Sequence, residues 1–217
     1  MSSSFWDERY AQPFAAFGIT PNDFLVSQEA RILQACEVSG GKRVLCLGDG
    51  EGRNAIWLAQ LGLKVTMVDL SPVGLRNAQD RAASLGLPLS VLQADLTQFD
   101  MGTSAWDAMI SIFCHLPGDV RRPVYRKVVE GLKPGGAFVL ESYTPAQIGR
   151  GTGGPSDVDM LSTAELLREE LAGLEFGLLR EVNRDVREGV RHGGMSSVVQ
   201  MVATKPQSSQ VAVKLPG

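Results

Sequence analysis

The sequence predicts an α/β fold: a doubly wound sheet of seven strands, mostly parallel, with an antiparallel C-terminal hairpin and helices on both faces. Three observations predict it. Short runs that are apolar on both faces, such as VLCLG, alternate with helix-length segments up to Tyr143, the rhythm of a parallel sheet covered on both sides. The first of these runs enters a glycine-rich turn, GDGEG, that opens a helix. After Tyr143 the rhythm changes, and GLLREVNRDVREG and SSVVQMVATK read as two strands joined by a glycine-rich turn.

Each element has a local reason. Residues 22–38 place Phe24, Leu25, Ile32, Leu33 and Ala35 near helical spacing and stop at Ser39-Gly40-Gly41. KRVLCLG is the first strand, and RNAIWLAQLG a helix closed by Gly62. KVTMVDLS is the second strand. The helix after it, SPVGLRNAQDRAASLG, has Ser71 as N-cap and Pro72 in its first turn. LSVLQADL and WDAMISIF are strands three and four, GDVRRPVYRKVVEGLKPGG carries a helix ending near Gly131, and GAFVLESY is strand five. Residues 145–160, rich in Gly, Pro and Asp, read as a loop. STAELLREEL is a helix in which Ser162 and Glu165 have capping-box spacing. Residues 1–205 are expected to form a single domain with an N-terminal lid or helix region over 1–38, and residues 206–217 a flexible tail.

Composition excludes several classes. A formal net charge of −3 gives no basic field for nucleic acid or an anionic membrane. No run of about 18 apolar residues argues for a membrane span. Cys36, Cys46 and Cys114 lie far apart without CxxC pairing, which suits a reducing, cytoplasmic setting and no zinc or disulfide frame. MSSSFWDERY lacks the basic and apolar regions of a secretory leader. No His/Asp cluster has ligand spacing, so no metal is expected.

The glycine turn carries the functional signal. Gly48-Asp49-Gly50-Glu51-Gly52 lets backbone approach a ligand closely, and Arg53-Asn54 opens the helix. Asp69, followed by Leu70, closes the next strand about twenty residues on, where a carboxylate can accept two ribose hydroxyls. Ala94-Asp95-Leu96 ends strand three, where an acid can meet the exocyclic amine of adenine. An acid after each of three successive strands selects a ribose and an adenine and requires no phosphate. The alternative is a nucleotide fold that uses these acids only as helix N-caps.

VLCLGDGEGRNA, VTMVDLS, QADL, WDAMISIFCHL and LKPGG resemble, in order and spacing, the class I S-adenosylmethionine (SAM) methyltransferases, whose sheet is Rossmann-like. FWDERYA with FGITPNDFL, GEGRNA and FCHL is similar to their small bacterial tellurite-resistance and thiol methyltransferase branch (TehB-like). The core resemblance covers roughly residues 40–145, and the N-terminal signature extends it to most of the chain. It implies SAM as cofactor, S-adenosylhomocysteine as product, and in-line methyl transfer to a small soft or anionic acceptor such as tellurite, selenite or a thiol. It implies cofactor contacts from Gly48 to Asn54, from Asp69, Leu70, Ala94, Asp95, Leu96 and Ser111, and from Trp6, Arg9 and Tyr10 of the leading segment. One departure stands out: the acid that usually lies two residues before the first glycine is Cys46 here. Asp49 and Glu51 must share or replace its role toward the ammonium and sulfonium of SAM. An acidic turn attracts those cations and repels a pyrophosphate.

Candidate chemistry lies at the strand ends. His115 is a candidate general base or substrate donor, or it orders its loop and contacts SAM. Phe113 and Tyr143 would wall the substrate, with RGTGGPSD gating access. Arg187, Arg191 and His192, with Arg184, would hold an anion at the rim or form a solvated basic turn. Trp6, Tyr10, Phe14 and Phe17 would cover SAM, with Arg9 reaching its carboxylate, or simply pack a leading helix. Cys114 is expected to pack against the cofactor. The expected partner is a small-molecule methyl acceptor, with no nucleic acid and no membrane, and the chain a monomer or homodimer. Three rivals remain: a methyltransferase for a small N- or O-nucleophile, a SAM-binding regulator without turnover, and a NAD-type oxidoreductase.

Overall fold

The computed structural model describes residues 3–12, 16–189 and 192–207, with His192 described by its backbone alone. Seven strands form one sheet: β1 (Arg43–Leu47), β2 (Lys64–Asp69), β3 (Ser90–Gln93), β4 (Trp106–Ile112), β5 (Leu132–Tyr143), β6 (Glu175–Glu188) and β7 (His192–Thr204). Their order is β3-β2-β1-β4-β5-β7-β6. The first five are parallel. β7 runs antiparallel to β5 and β6 antiparallel to β7, so β6 points the same way as the first five. The predicted seven-stranded doubly wound sheet is what the chain forms.

The described helices are α1 (Ser3–Tyr10), α2 (Asp23–Ser27), α3 (Glu29–Val38), α4 (Arg53–Gln60), α5 (Pro72–Ser84), α6 (Gly118–Gly131) and α7 (Ala164–Glu170). Strand parity explains the two covered faces. Along β1, Val44 and Cys46 join the core beneath α3 and α4, while Leu45 and Leu47 join the core that contains Val124 and Val128 of α6. Because both parities are apolar, β1, β4 and the second half of β5 are buried on both faces, at about 1.5–3 kcal/mol for each large side chain removed from water.

Ser71 caps α5 by accepting from the Gly74 amide at 3.1 Å, and Gly62 takes a left-handed φ of 77° just beyond α4. Three local readings change. The helix expected over 22–38 breaks at Gln28, because Asn22 caps a short first segment by accepting from the Leu25 amide at 2.8 Å. The third strand stops at Gln93, since the chain then turns to aim Asp95 at the cleft. The cap of α7 is Thr163, which accepts from the Leu166 amide at 3.1 Å; Ser162 is buried and its amide is bound to the Tyr143 carbonyl at 3.0 Å. The loop over 145–160 contains two single 3₁₀ turns, Pro145–Gln147 and Val158–Met160. Of the expected tail, residues 208–217 lie outside the described residues. Among the described residues no helix is long and apolar enough to cross a membrane.

Candidate active site

β1 and β4 are neighbours in the sheet, while the chain between them runs out to β3 and back. Connections leave in opposite directions at this point, which opens a crevice at the strands' carboxyl ends. The turn after β1 lies there, with Gly48, Gly50 and Gly52 at φ of 60°, 54° and 72°, a region where a Cβ costs roughly 1–2 kcal/mol.

The four acids differ in what they do. Asp49 accepts from Asn54 Nδ2 at 2.6 Å and from the Ala55 amide at 2.8 Å, holding the first turn of α4. Desolvation pushes its carboxyl up to about 6, against the lowering effect of those two hydrogen bonds. Asp69 is buried and accepts from the Gly50 amide at 2.8 Å and the Ser71 amide at 2.9 Å. Burial raises its carboxyl as well, and a carboxylate's lone pairs leave capacity for further donors. Glu51 accepts from the Ala16 amide at 3.0 Å and Asn77 Nδ2 at 3.2 Å, so it ties down the N-terminal segment. Asp95 is exposed toward the cleft and accepts from the Thr97 amide and hydroxyl, each at 2.8 Å.

These groups border one cavity of about 430 Å³, within the range of small-molecule sites. From the predicted cofactor set it brings together Gly48, Asp49, Glu51, Arg53, Asn54, Asp69, Leu70, Ala94, Asp95 and Leu96. Among the described residues four carboxylates face two guanidiniums, Arg9 and Arg53, and Arg53 is itself paired with Glu188. The surplus of acid favours a cationic ligand.

The leading segment forms one wall. Phe5, Trp6, Arg9, Tyr10 and Phe17 line the cavity. Trp6 stacks on Tyr10 with centroids 6.0 Å apart, and Phe17 meets both rings. Asp7 accepts from the Ser71 hydroxyl, and the Tyr10 carbonyl from Asn77 Nδ2 at 2.9 Å, which docks α1 on α5. A Cβ on Gly50 would collide with the Tyr10 hydroxyl. The Arg9 guanidinium lies 3.4 Å over the Phe5 ring. Phe14 lies outside the described residues.

The opposite wall follows β4. Phe113, Cys114, His115, Leu116 and Pro117 line it, together with Gly153, Gly154 and Met160. Phe113 holds a φ of 52°, a strained conformation for a bulky residue and one that clusters at functional sites. The His115 ring stacks on Tyr143 at 5.4 Å, and its Nδ1 lies 3.3 Å from both the Met160 carbonyl and the Ser142 hydroxyl. Desolvation, with the nearby Asp69 and Asp49, pushes the Cys114 thiol up to about 12, so it stays protonated, and its sulfur lies against Gly48.

Other residues expected in the site lie away from the cavity or outside the described residues. Gly50 and Gly52 shape the turn but do not border the cavity; Gly52 instead lets α4 approach Ala78 and Met67. Ser111 is buried within β4, and Ile112 and Phe113 take the place expected of it at the strand end. Tyr143 is fully buried behind the wall, where it backs Phe113 and His115. Arg187 points to solvent and pairs with Asp185 at 2.7 Å. Strand parity is the reason: Arg184, Val186 and Glu188 face inward along β6, and Asp185 and Arg187 outward. Arg184 is held by Glu141 at 2.6 Å and Glu188 at 3.1 Å. Arg191 and the His192 side chain lie outside the described residues. Sequence reasoning missed Asn22, Glu141 and Glu188, which are buried and joined by hydrogen bonds; the only signal for Glu188 was its parity with Val186.

Residues 44–136 match the family described as Methyltransferase domain. Methyltransferase GfsG of Streptomyces halstedii is 31% identical over 115 residues, 51% of this chain and 41% of that protein. The chain spans less than half the length of the curated relatives it matches. A structure solved for the conversion of a disulfide bond into a thioacetal group during echinomycin biosynthesis superposes with a TM-score of 0.70 at 21% identity, covering 96% of this chain and 94% of the other. TehB from Haemophilus influenzae superposes at 0.65 with 19% identity, covering 82% and 62%. Residues 44–136 thus resemble a methyltransferase domain, and the fold is the Rossmann-like one of these solved structures.

Proposed function

We propose that this chain is a SAM-dependent methyltransferase acting on a small soft acceptor, with a thiol ahead of tellurite or selenite. The observation that carries this reading is the meeting of Asp69, Asp95 and the glycine turn on one acid-rich cavity. The donor set fits SAM: Asp69 for the ribose hydroxyls, Asp95 and Leu96 for the adenine edge, and the Gly48–Asp49 turn for the amino acid end. Bound there, SAM supplies a methyl group already activated on a sulfonium cation.

The protein's part is alignment and exclusion of water. The α1 aromatics cover one side, and Phe113, Leu116 and Pro117 present an apolar wall on the other. The preference for a thiol rests on charge. Among the described residues the cavity's guanidiniums are Arg9 and the Glu188-bound Arg53, while Arg184 is committed to two carboxylates and Arg187 faces solvent. The disulfide-to-thioacetal chemistry named for the echinomycin structure lends a precedent for sulfur chemistry on this fold.

A second reading, transfer to a small N- or O-nucleophile, is favoured by His115. Its Nδ1 contact to the Met160 carbonyl orients the ring on the cavity, as a general base requires. An acceptor screen read by S-adenosylhomocysteine release, on wild type and His115→Ala, separates the readings. Thiol methylation that survives His115→Ala supports the first. Hydroxyl or amine methylation that collapses by about 100-fold or more in the variant supports the second. No product with any acceptor would leave a SAM-binding protein without turnover.

A further inference from the structure

Glu188, the last residue of β6, is buried at the ligand end of the sheet. Its carboxylate pairs with Arg53 Nη2, accepts from Asn22 Nδ2 at 2.7 Å, and accepts from Arg184 Nη2 at 3.1 Å. Asn22 is wholly buried and donates also to Glu141 at 2.6 Å, while its amide donates to Asn54 Oδ1 at 2.9 Å. Asn54 in turn donates to Asp49 at 2.6 Å. Arg184 closes the cluster on Glu141 at 2.8 and 2.6 Å. Two carboxylates balance two guanidiniums, so the set is neutral as a whole and unbalanced by any single loss.

The next residue, Gly189, has a φ of 68°, and a Cβ there would lie 2.6 Å from the Phe17 carbonyl carbon and 2.7 Å from the Ala16 oxygen. Phe17 and Gly18 line the cavity, whereas Glu188 and Gly189 do not. An apolar pair of similar volume would pack the end of β6 as well as an ion pair does. The polar cluster does something an apolar pair would not, because its hydrogen bonds continue to Asn54 and Asp49 on the cavity.

We propose that Glu188 is a positioning residue for the cofactor cavity: by gripping Arg53 and Asn22 it fixes the Phe17–Gly18 wall and the Asn54–Asp49 pair, so that cofactor affinity is set from the terminal hairpin. The ligand's identity rests on the SAM reading above; the anchoring of residues 16–22 does not.

Glu188→Gln keeps the side chain's shape, removes the carboxylate that Arg53 pairs with and leaves Arg184 with Glu141 alone. The expected result is a SAM dissociation constant raised about tenfold, the scale of coupling through residues outside the ligand contact, with the rate at saturating SAM unchanged. Chymotryptic cleavage after Phe17 in SAM-free protein should accelerate, and Glu188→Asp should restore part of both. If Glu188→Gln does not fold, Gly189→Ala displaces the same wall with all ion pairs intact and is read by the same two measurements. SAM affinity equal to wild type in a folded variant overturns the proposal. Wild type that does not bind SAM at all overturns the cofactor reading instead; the Phe17 cleavage rates then decide the anchoring alone, and unchanged cleavage sinks it.

Discussion

The Gly50 amide donates to the Asp69 carboxylate across 2.8 Å, joining the glycine turn after β1 to the end of β2. One side chain thus fixes the turn and faces the cavity. Asp69→Ala removes a hydrogen bond to a charged group, worth about 2 kcal/mol, together with the proposed ribose acceptor. SAM affinity measured by calorimetry should fall by at least about thirtyfold, and Asp69→Asn, which keeps one acceptor oxygen, should lose less. Equal losses in the two variants would mean that the retained acceptor oxygen contributes nothing and that the negative charge alone matters.

Asp49 gives the site a pH signature. Its carboxyl is raised from 3.8 to about 6 by desolvation, so across that window the folded chain holds a proton that the unfolded chain has released. The group's contribution to stability is therefore complete below the lower value and is lost as pH rises through the upper one. A cationic ligand favours the ionised form, so SAM affinity should climb as pH passes about 6 and then level off. Asp49→Asn should flatten both profiles in denaturation and binding experiments. Matching pH profiles for variant and wild type would remove Asp49 from the electrostatic argument.

The Leu116–Pro117 side of the cavity depends on Arg121, which binds Glu170 at 2.8 Å and the carbonyls of Leu116 and Asp159 at 3.1 and 2.7 Å. Both charged side chains are buried, so Arg121→Ala leaves a carboxylate without its partner at about 3–5 kcal/mol. Urea denaturation should show that loss. In Arg121→Lys, which keeps the charge but not the planar fork, acceptor KM should rise more than SAM affinity falls.

Much of this was legible in the sequence, for physical reasons that differ by residue. Val44 to Leu47 are apolar at both parities, which only a twice-covered strand requires, and Ser71-Pro72 states its helix start outright. Asp69 and Asp95 converge because parallel strands bring successive carboxyl ends to one edge, so strand order alone predicted their meeting. Arg187 shows the limit. A basic cluster at a turn says nothing about direction until pairing with β7 sets the parity, and that pairing turned Arg184 inward and Arg187 out. Glu188 and Arg53 are 135 residues apart, and their contact exists only once the β6 register is fixed. The strained φ of Phe113 leaves no mark on composition or spacing.

An acid-rich glycine turn should select a sulfonium cofactor over a dinucleotide. Parallel calorimetric titrations of the wild-type protein with SAM and with NAD test it most directly. The expected result is saturable binding of SAM that weakens in Asp69→Ala, and no binding of NAD. Binding of NAD with none of SAM would contradict it.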